Sequence, residues 1–147
     1  MKKFIKYENT FLKKGVIIQK VESAKSLTYI NDLIKKKIIK ILKLKISTKK
    51  LNLNRLHLFL GEKNLNRTRL ELIDTINRDK NLKKNYFLIA EKMLENIIGN
   101  ELAMQNNINL SIQLPEDESS LLPIHSDTWS GDSPFESVLW LPLVNCY

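Results

Sequence analysis

Near residue 100 the hydrophobic period of this chain changes, and that change limits the folds open to it. Upstream, apolar residues recur every three or four positions. Leu27, Ile30, Ile34, Ile38 and Ile41 make one stripe, and Tyr86, Ala90, Met93 and Ile97 make another. Downstream, Ile108, Leu110, Ile112 and Leu114 alternate with Asn107, Asn109, Ser111 and Gln113. A period near 3.6 turns one stripe of a helix to a core, whereas a period of two turns one face of a strand to it. Helices followed by strands predict an α+β chain.

The finer reading places an opening strand over Phe11 to Val21, with Gly15 before Val16-Ile17-Ile18. It places a helix from Leu27 to about Ile46 with Ser26 as its N-cap. Leu51 to Leu60 is ambiguous. Asn66 is a candidate cap for a helix through Leu70, Ile73 and Ile76. Lys83 to Ile98 reads as one helix closed by Gly99. Three strands follow: the alternating segment from Ile108, a second over Leu121 to Asp127, and a third over Phe135 to Val144. Loops occupy 115–120 and Trp129 to Pro134.

Charge follows the same division. All 24 Lys and Arg lie in residues 1–100 with nine acids, for a net +15; residues 101–147 carry seven acids and no base, for −7. The lysine-rich helix pattern at 35–43 fits an anionic membrane surface. The plainer reading is an apolar face on a core with solvated lysines, and it is preferred. Lysine, Asn and Ile abound together, as in chains from AT-rich genomes, and aromatics among the lysines are few, which argues against nucleic acid as a partner. No run approaches the ~18 apolar residues of a membrane span. The opening residues lack the apolar stretch and cleavage site of a secretory signal. The lone Cys146 leaves no internal disulfide, so a cytoplasmic setting is expected.

Candidate chemistry concentrates at His125-Ser126-Asp127. On an extended strand residues i and i+2 face one side. An imidazole and a carboxylate are therefore presented together, two of the three ligands of a 2-His-1-carboxylate Fe(II) site. A hydrogen-bonded surface pair is the bland alternative. The neighbouring Trp129, Asp132 and Glu136, and the absence of lysine around them, favour a site. Asn109, Ser111 and Gln113 either face water or line a polar lumen beside a metal, and spacing leaves both open. His57, between Leu56 and Leu58, reads as a partly buried structural histidine. No Gly-rich phosphate loop or Cys cluster is present. Ser126 should point away from His125, which argues against a nucleophilic triad.

Five stretches together resemble the 2-oxoglutarate/Fe(II) oxygenases of sporadic carbohydrate biosynthesis clusters, relatives of streptomycin-biosynthesis oxygenases and, more distantly, of phytanoyl-CoA dioxygenases. They are Gly99-Asn100-Glu101-Leu102-Ala103-Met104-Gln105, Asn109-Leu110-Ser111-Ile112-Gln113-Leu114-Pro115, Leu122-Pro123-Ile124-His125-Ser126-Asp127, and Ser130 to Glu136 with Leu139-Trp140-Leu141-Pro142-Leu143. The resemblance is densest over 99–147 and weaker at Lys14 to Ile18 and Leu65-Asn66-Arg67.

The resemblance implies N-terminal helices followed by the first strands of a double-stranded β-helix, a jelly-roll or cupin-like fold. It implies Fe(II) held by His125 and Asp127, 2-oxoglutarate as cosubstrate, and hydroxylation of a saccharide or nucleotide-sugar substrate; Asn109 and Gln113 are the candidates for hydrogen bonds to the cosubstrate or to the metal ligands. It also implies a second histidine and a cosubstrate-binding arginine beyond His125, which this sequence does not contain. The expectation is a single incomplete oxygenase domain over 1–147, mainly helical over 1–100 and β over 101–147, inactive alone. Its exposed strand edges would be open to pairing with another chain. Two other classes stay open: a non-oxidative cupin-type sugar-modifying enzyme using the same residues, and a basic non-catalytic binding module.

Overall fold

The computed structural model describes residues 2–116, 123–133 and 135–146, with side chains other than those of 2–6 and Ser130. Five α-helices carry the fold: α1 (Lys2–Lys14), α2 (Ala24–Ile41), α3 (Glu62–Asn77), α4 (Leu82–Leu88) and α5 (Glu91–Ile98). Short 3-10 helices occupy Leu53–Leu58 and Asp127–Ser130. No strand occurs among the described residues. The expected α+β fold with jelly-roll strands is therefore corrected to a helical one.

The N-cap of α2 lies three residues before the expected one. Ser23 is the N-cap, its Oγ accepting from the Ser26 amide at 3.2 Å, while Ser26 itself is buried and bonds Ser23 through its hydroxyl. The helix stops at Ile41, short of Ile46, and Lys43 turns the chain left-handed at φ 52°. Ile30, Leu33, Ile34 and Ile38 bury the predicted stripe. Helix α3 begins at Glu62, so Asn66 lies inside it. Its buried stripe is Leu65, Thr68, Leu72 and Ile76, leaving Leu70 exposed. Helix α2 packs on α3 and α4, and α1 packs on α5.

The opening segment is helical rather than extended. Helix α1 runs through Phe11, and Gly15, at φ 67°, ends it in a conformation that costs glycine little. Residues 16–21 belong to no helix or strand. The helix expected over 83–98 is two helices, broken where Ala90 leaves helical geometry at φ −146°, ψ 20°. Ala90 cannot cap α5 with its side chain. Glu22 does so from across the fold: its carboxylate oxygens accept from the amides of Lys92 at 2.9 Å and Met93 at 3.0 Å, and its own amide donates to the Ile89 carbonyl at 2.8 Å. A carboxylate at a helix N-terminus satisfies amides that have no partner within the helix and meets the positive end of the helix dipole.

The period-two segment keeps its alternation without a sheet. Ile108 and Ile112 are buried and Leu110 and Leu114 half-buried, while Asn109, Ser111 and Gln113 are exposed. Asn77 stands in for a neighbouring strand. Its Oδ1 accepts from the Ile108 amide at 2.8 Å and its Nδ2 donates to the Ile108 carbonyl at 2.9 Å. The segment from 137 behaves similarly: Leu139, Leu141 and Leu143 pack on the core, while Val138, Trp140 and Val144 are exposed. Tyr86 of α4 donates its hydroxyl to the Leu139 carbonyl. Of the second expected strand, Leu121 and Leu122 lie outside the described residues, as does most of the 115–120 loop; its remainder ends in a 3-10 helix.

Two phenols carry a pH dependence. Tyr29 donates to Asp79 at 2.7 Å, and that bond, followed by burial, raises its pKa; burial raises that of Tyr86. Both folded-state values lie above the ordinary phenol value of 10.0. The native state therefore favours the protonated phenols. Their contribution is complete below about pH 10 and is lost as pH climbs through the raised values. The melting temperature should fall on alkaline titration above about pH 10, and less steeply in Tyr86→Phe. An identical slope in that variant would remove Tyr86 from the effect.

Candidate metal centre

The His-x-Asp motif sits in a turn, not on a strand. Pro123 has a fixed φ, and Ser126 is extended at φ −119°, ψ 135°. Asp127 then opens the 3-10 helix Asp127–Ser130, closed by Gly131 at φ 97°. The Trp129 amide donates to the Ser126 carbonyl at 2.9 Å, and the Asp132 amide to the Asp127 carbonyl at 3.3 Å. Ser126 and Thr128 share a hydroxyl hydrogen bond at 2.8 Å, so the serine is engaged away from the imidazole.

This turn brings the two candidate ligands together. His125 Nε2 lies 3.6 Å from Asp127 Oδ1, with 43% and 55% of the side chains exposed. The other ring nitrogen, Nδ1, is 2.7 Å from the Pro123 carbonyl. A carbonyl only accepts, so Nδ1 carries a proton, and Nε2 is the ring atom on the Asp127 side through which the imidazole would bind a metal. Metal-bound histidines are oriented in this way, by donating the far N–H to a carbonyl or carboxylate. Two ligands at right angles on a first-row divalent ion stand about 3 Å apart. The pair thus approaches the spacing of adjacent ligands, in a nitrogen-and-carboxylate donor set suited to Fe(II). The exposure leaves room for further ligands.

The other sequence candidates do not join it. Asn109 and Gln113 are exposed on the outer side of the 108–114 segment, and neither bonds His125 or Asp127. Asp132 and Glu136 are exposed, and no group of three His, Cys, Asp or Glu converges among the described residues. Trp129 is 77% exposed. His57 is exposed on the 3-10 helix Leu53–Leu58, so the expectation of a partly buried structural histidine is corrected. Sequence reasoning missed Pro123 as the orienting acceptor; a proline two residues before the ligand was the available signal.

The chain matches no protein-family model, no curated protein and no solved structure. No helix among the described residues is long and apolar enough to cross a membrane.

Proposed function

We propose that this chain contributes two iron ligands, His125 and Asp127, to a cytoplasmic Fe(II)/2-oxoglutarate-dependent oxygenase acting on a saccharide or nucleotide-sugar substrate. The observation that carries the reading is the oriented imidazole: Nδ1–H is committed to Pro123 and Nε2 is left 3.6 Å from a carboxylate oxygen. The residue pattern over 99–147 supplies the reaction class. Bound iron with 2-oxoglutarate would supply oxidation of a substrate C–H bond. The chain's own part is to hold the metal through Nε2 and a carboxylate oxygen, with the Pro123 carbonyl fixing the tautomer.

Two protein donors hold Fe(II) weakly. The proposal therefore assigns turnover to an assembly in which a further histidine comes from outside these 147 residues. The backbones of 109–114 and 137–141 belong to no helix or strand and, apart from the Leu139 carbonyl, make no backbone hydrogen bond among the described residues. They are the edges through which another polypeptide segment would pair and bring that histidine.

Mn(II) titration followed by electron paramagnetic resonance tests the pair. The chain should bind one ion weakly, and His125→Ala and Asp127→Ala should each weaken binding by about tenfold or more. Equal binding by wild type and both variants would reduce the pair to a surface contact. Iron-dependent succinate release by the 147-residue chain alone would overturn the requirement for a further ligand.

A further inference from the structure

Between Asp32 and Glu62 the chain carries nine bases and no acid: Lys35, Lys36, Lys37, Lys40, Lys43, Lys45, Lys49, Lys50 and Arg55. The remaining residues hold 15 bases and 16 acids, so compositional drift toward lysine does not explain an acid-free stretch of this length. These charges lie in one continuous stretch of the chain, and most of them are exposed. Lys36 and Lys40, four residues apart, are exposed on the side of α2 opposite Ile30, Ile34 and Ile38, and Lys43 is exposed in the turn that follows the helix. Lys45, Lys49, Lys50 and Arg55 continue the exposed series. Neither ion pair among the described residues, Arg78–Asp74 or His125–Asp127, draws on this set. The negative end of the α2 dipole accounts for one or two lysines near Ile41, but not for nine bases.

The same segment also exposes apolar side chains. The 3-10 helix Leu53–Leu58 buries Leu56, and Leu58 is 64% and Phe59 43% exposed beside exposed Arg55 and His57. Lysines next to outward-facing leucine and phenylalanine are the composition of a surface that meets lipid headgroups with charge and the acyl boundary with apolar groups. Nucleic acid fits less well. Eight of the nine bases are lysine rather than the bidentate arginine, and Phe59 is the only aromatic residue in the stretch.

We propose that the lysine face of α2 and the following segment through Phe59 dock on an anionic phospholipid surface, with Leu58 and Phe59 entering the headgroup layer. The assignment is independent of the metal centre.

Cosedimentation with phosphatidylcholine vesicles, plain or doped with phosphatidylglycerol, tests it using the 147-residue chain. Binding should require the anionic lipid and weaken as salt rises. The triple variant Lys36→Gln/Lys40→Gln/Lys43→Gln should bind at least about tenfold more weakly. Leu58→Ser/Phe59→Ser, which keeps every charge, should also lose about tenfold. All five positions are exposed, so circular dichroism should remain that of the wild type. Absence of binding at low salt, or equal binding to plain and doped vesicles, would overturn the proposal. So would full retention of binding by the Leu58/Phe59 variant. Displacement from vesicles by a single-stranded oligonucleotide, with that variant binding the oligonucleotide as wild type, would assign the face to nucleic acid instead.

Discussion

Replacing Leu72 by alanine is expected to remove about 3–4 kcal/mol of folding free energy. Leu72 is fully buried, in the stripe of α3 that also contains Leu65 and Ile76, and α3 packs against α2. Truncation loses the transfer free energy of the missing carbons and leaves a cavity that rigid helices close only in part. Small domains have roughly 5–15 kcal/mol in total, so the loss should lower the melting temperature by more than about 10 °C. Urea unfolding followed at 222 nm should show a lower midpoint with the slope unchanged. A loss below about 1 kcal/mol would show that α3 is not packed through this residue.

Asn77→Ala should have the largest effect of any polar substitution. Its amide makes three bonds, to the Ile73 carbonyl at 2.8 Å and to both backbone groups of Ile108. Removing it leaves the Ile108 amide and carbonyl without partners at a position only 8% exposed. The expected cost is about 2 kcal/mol. The local effect should be greater in consequence, because Asn77 is the hydrogen-bonded fastener of an extended segment that buries Ile108 and Ile112. Hydrogen exchange at the Ile108 amide should accelerate by about thirtyfold or more. Asn77→Asp keeps the acceptor but sets a carboxylate oxygen against the Ile108 carbonyl, and should recover only part of the loss. Unchanged exchange at Ile108 in Asn77→Ala would remove the fastening role.

These two residues also mark what could be read from the sequence. The burial of Ile30, Ile34 and Ile38 follows from spacing alone, because helical contacts are local and periodic. The alternation of Ile108 and Ile112 against Asn109 and Gln113 was equally legible as facing. Facing does not determine pairing. A strand needs a backbone partner from elsewhere in the chain, and a side chain, Asn77, takes that place at Ile108. The run Val16-Ile17-Ile18 suggested that the preceding residues were extended too, yet they form α1 and stop at Gly15. The break at Ala90 carried no glycine or proline to announce it, and Glu22, which caps the helix after the break, lies far away in sequence. At the candidate site, the i,i+2 spacing anticipated the closeness of His125 and Asp127. The structure achieves it through the start of a 3-10 turn, with Pro123 supplying an orientation that side-chain identities do not reveal.

The carboxylate of Glu22 at the start of α5 bears on the order of events as the polypeptide is made. Its amide acceptors lie 70 and 71 positions later. Synthesis runs at about 5–20 residues per second, so several seconds separate the emergence of the cap from that of the helix it caps. Until then α1 lacks its packing partner, and α2 is free to meet α3. The ribosome thus delivers the chain's first helix early and lets it settle last.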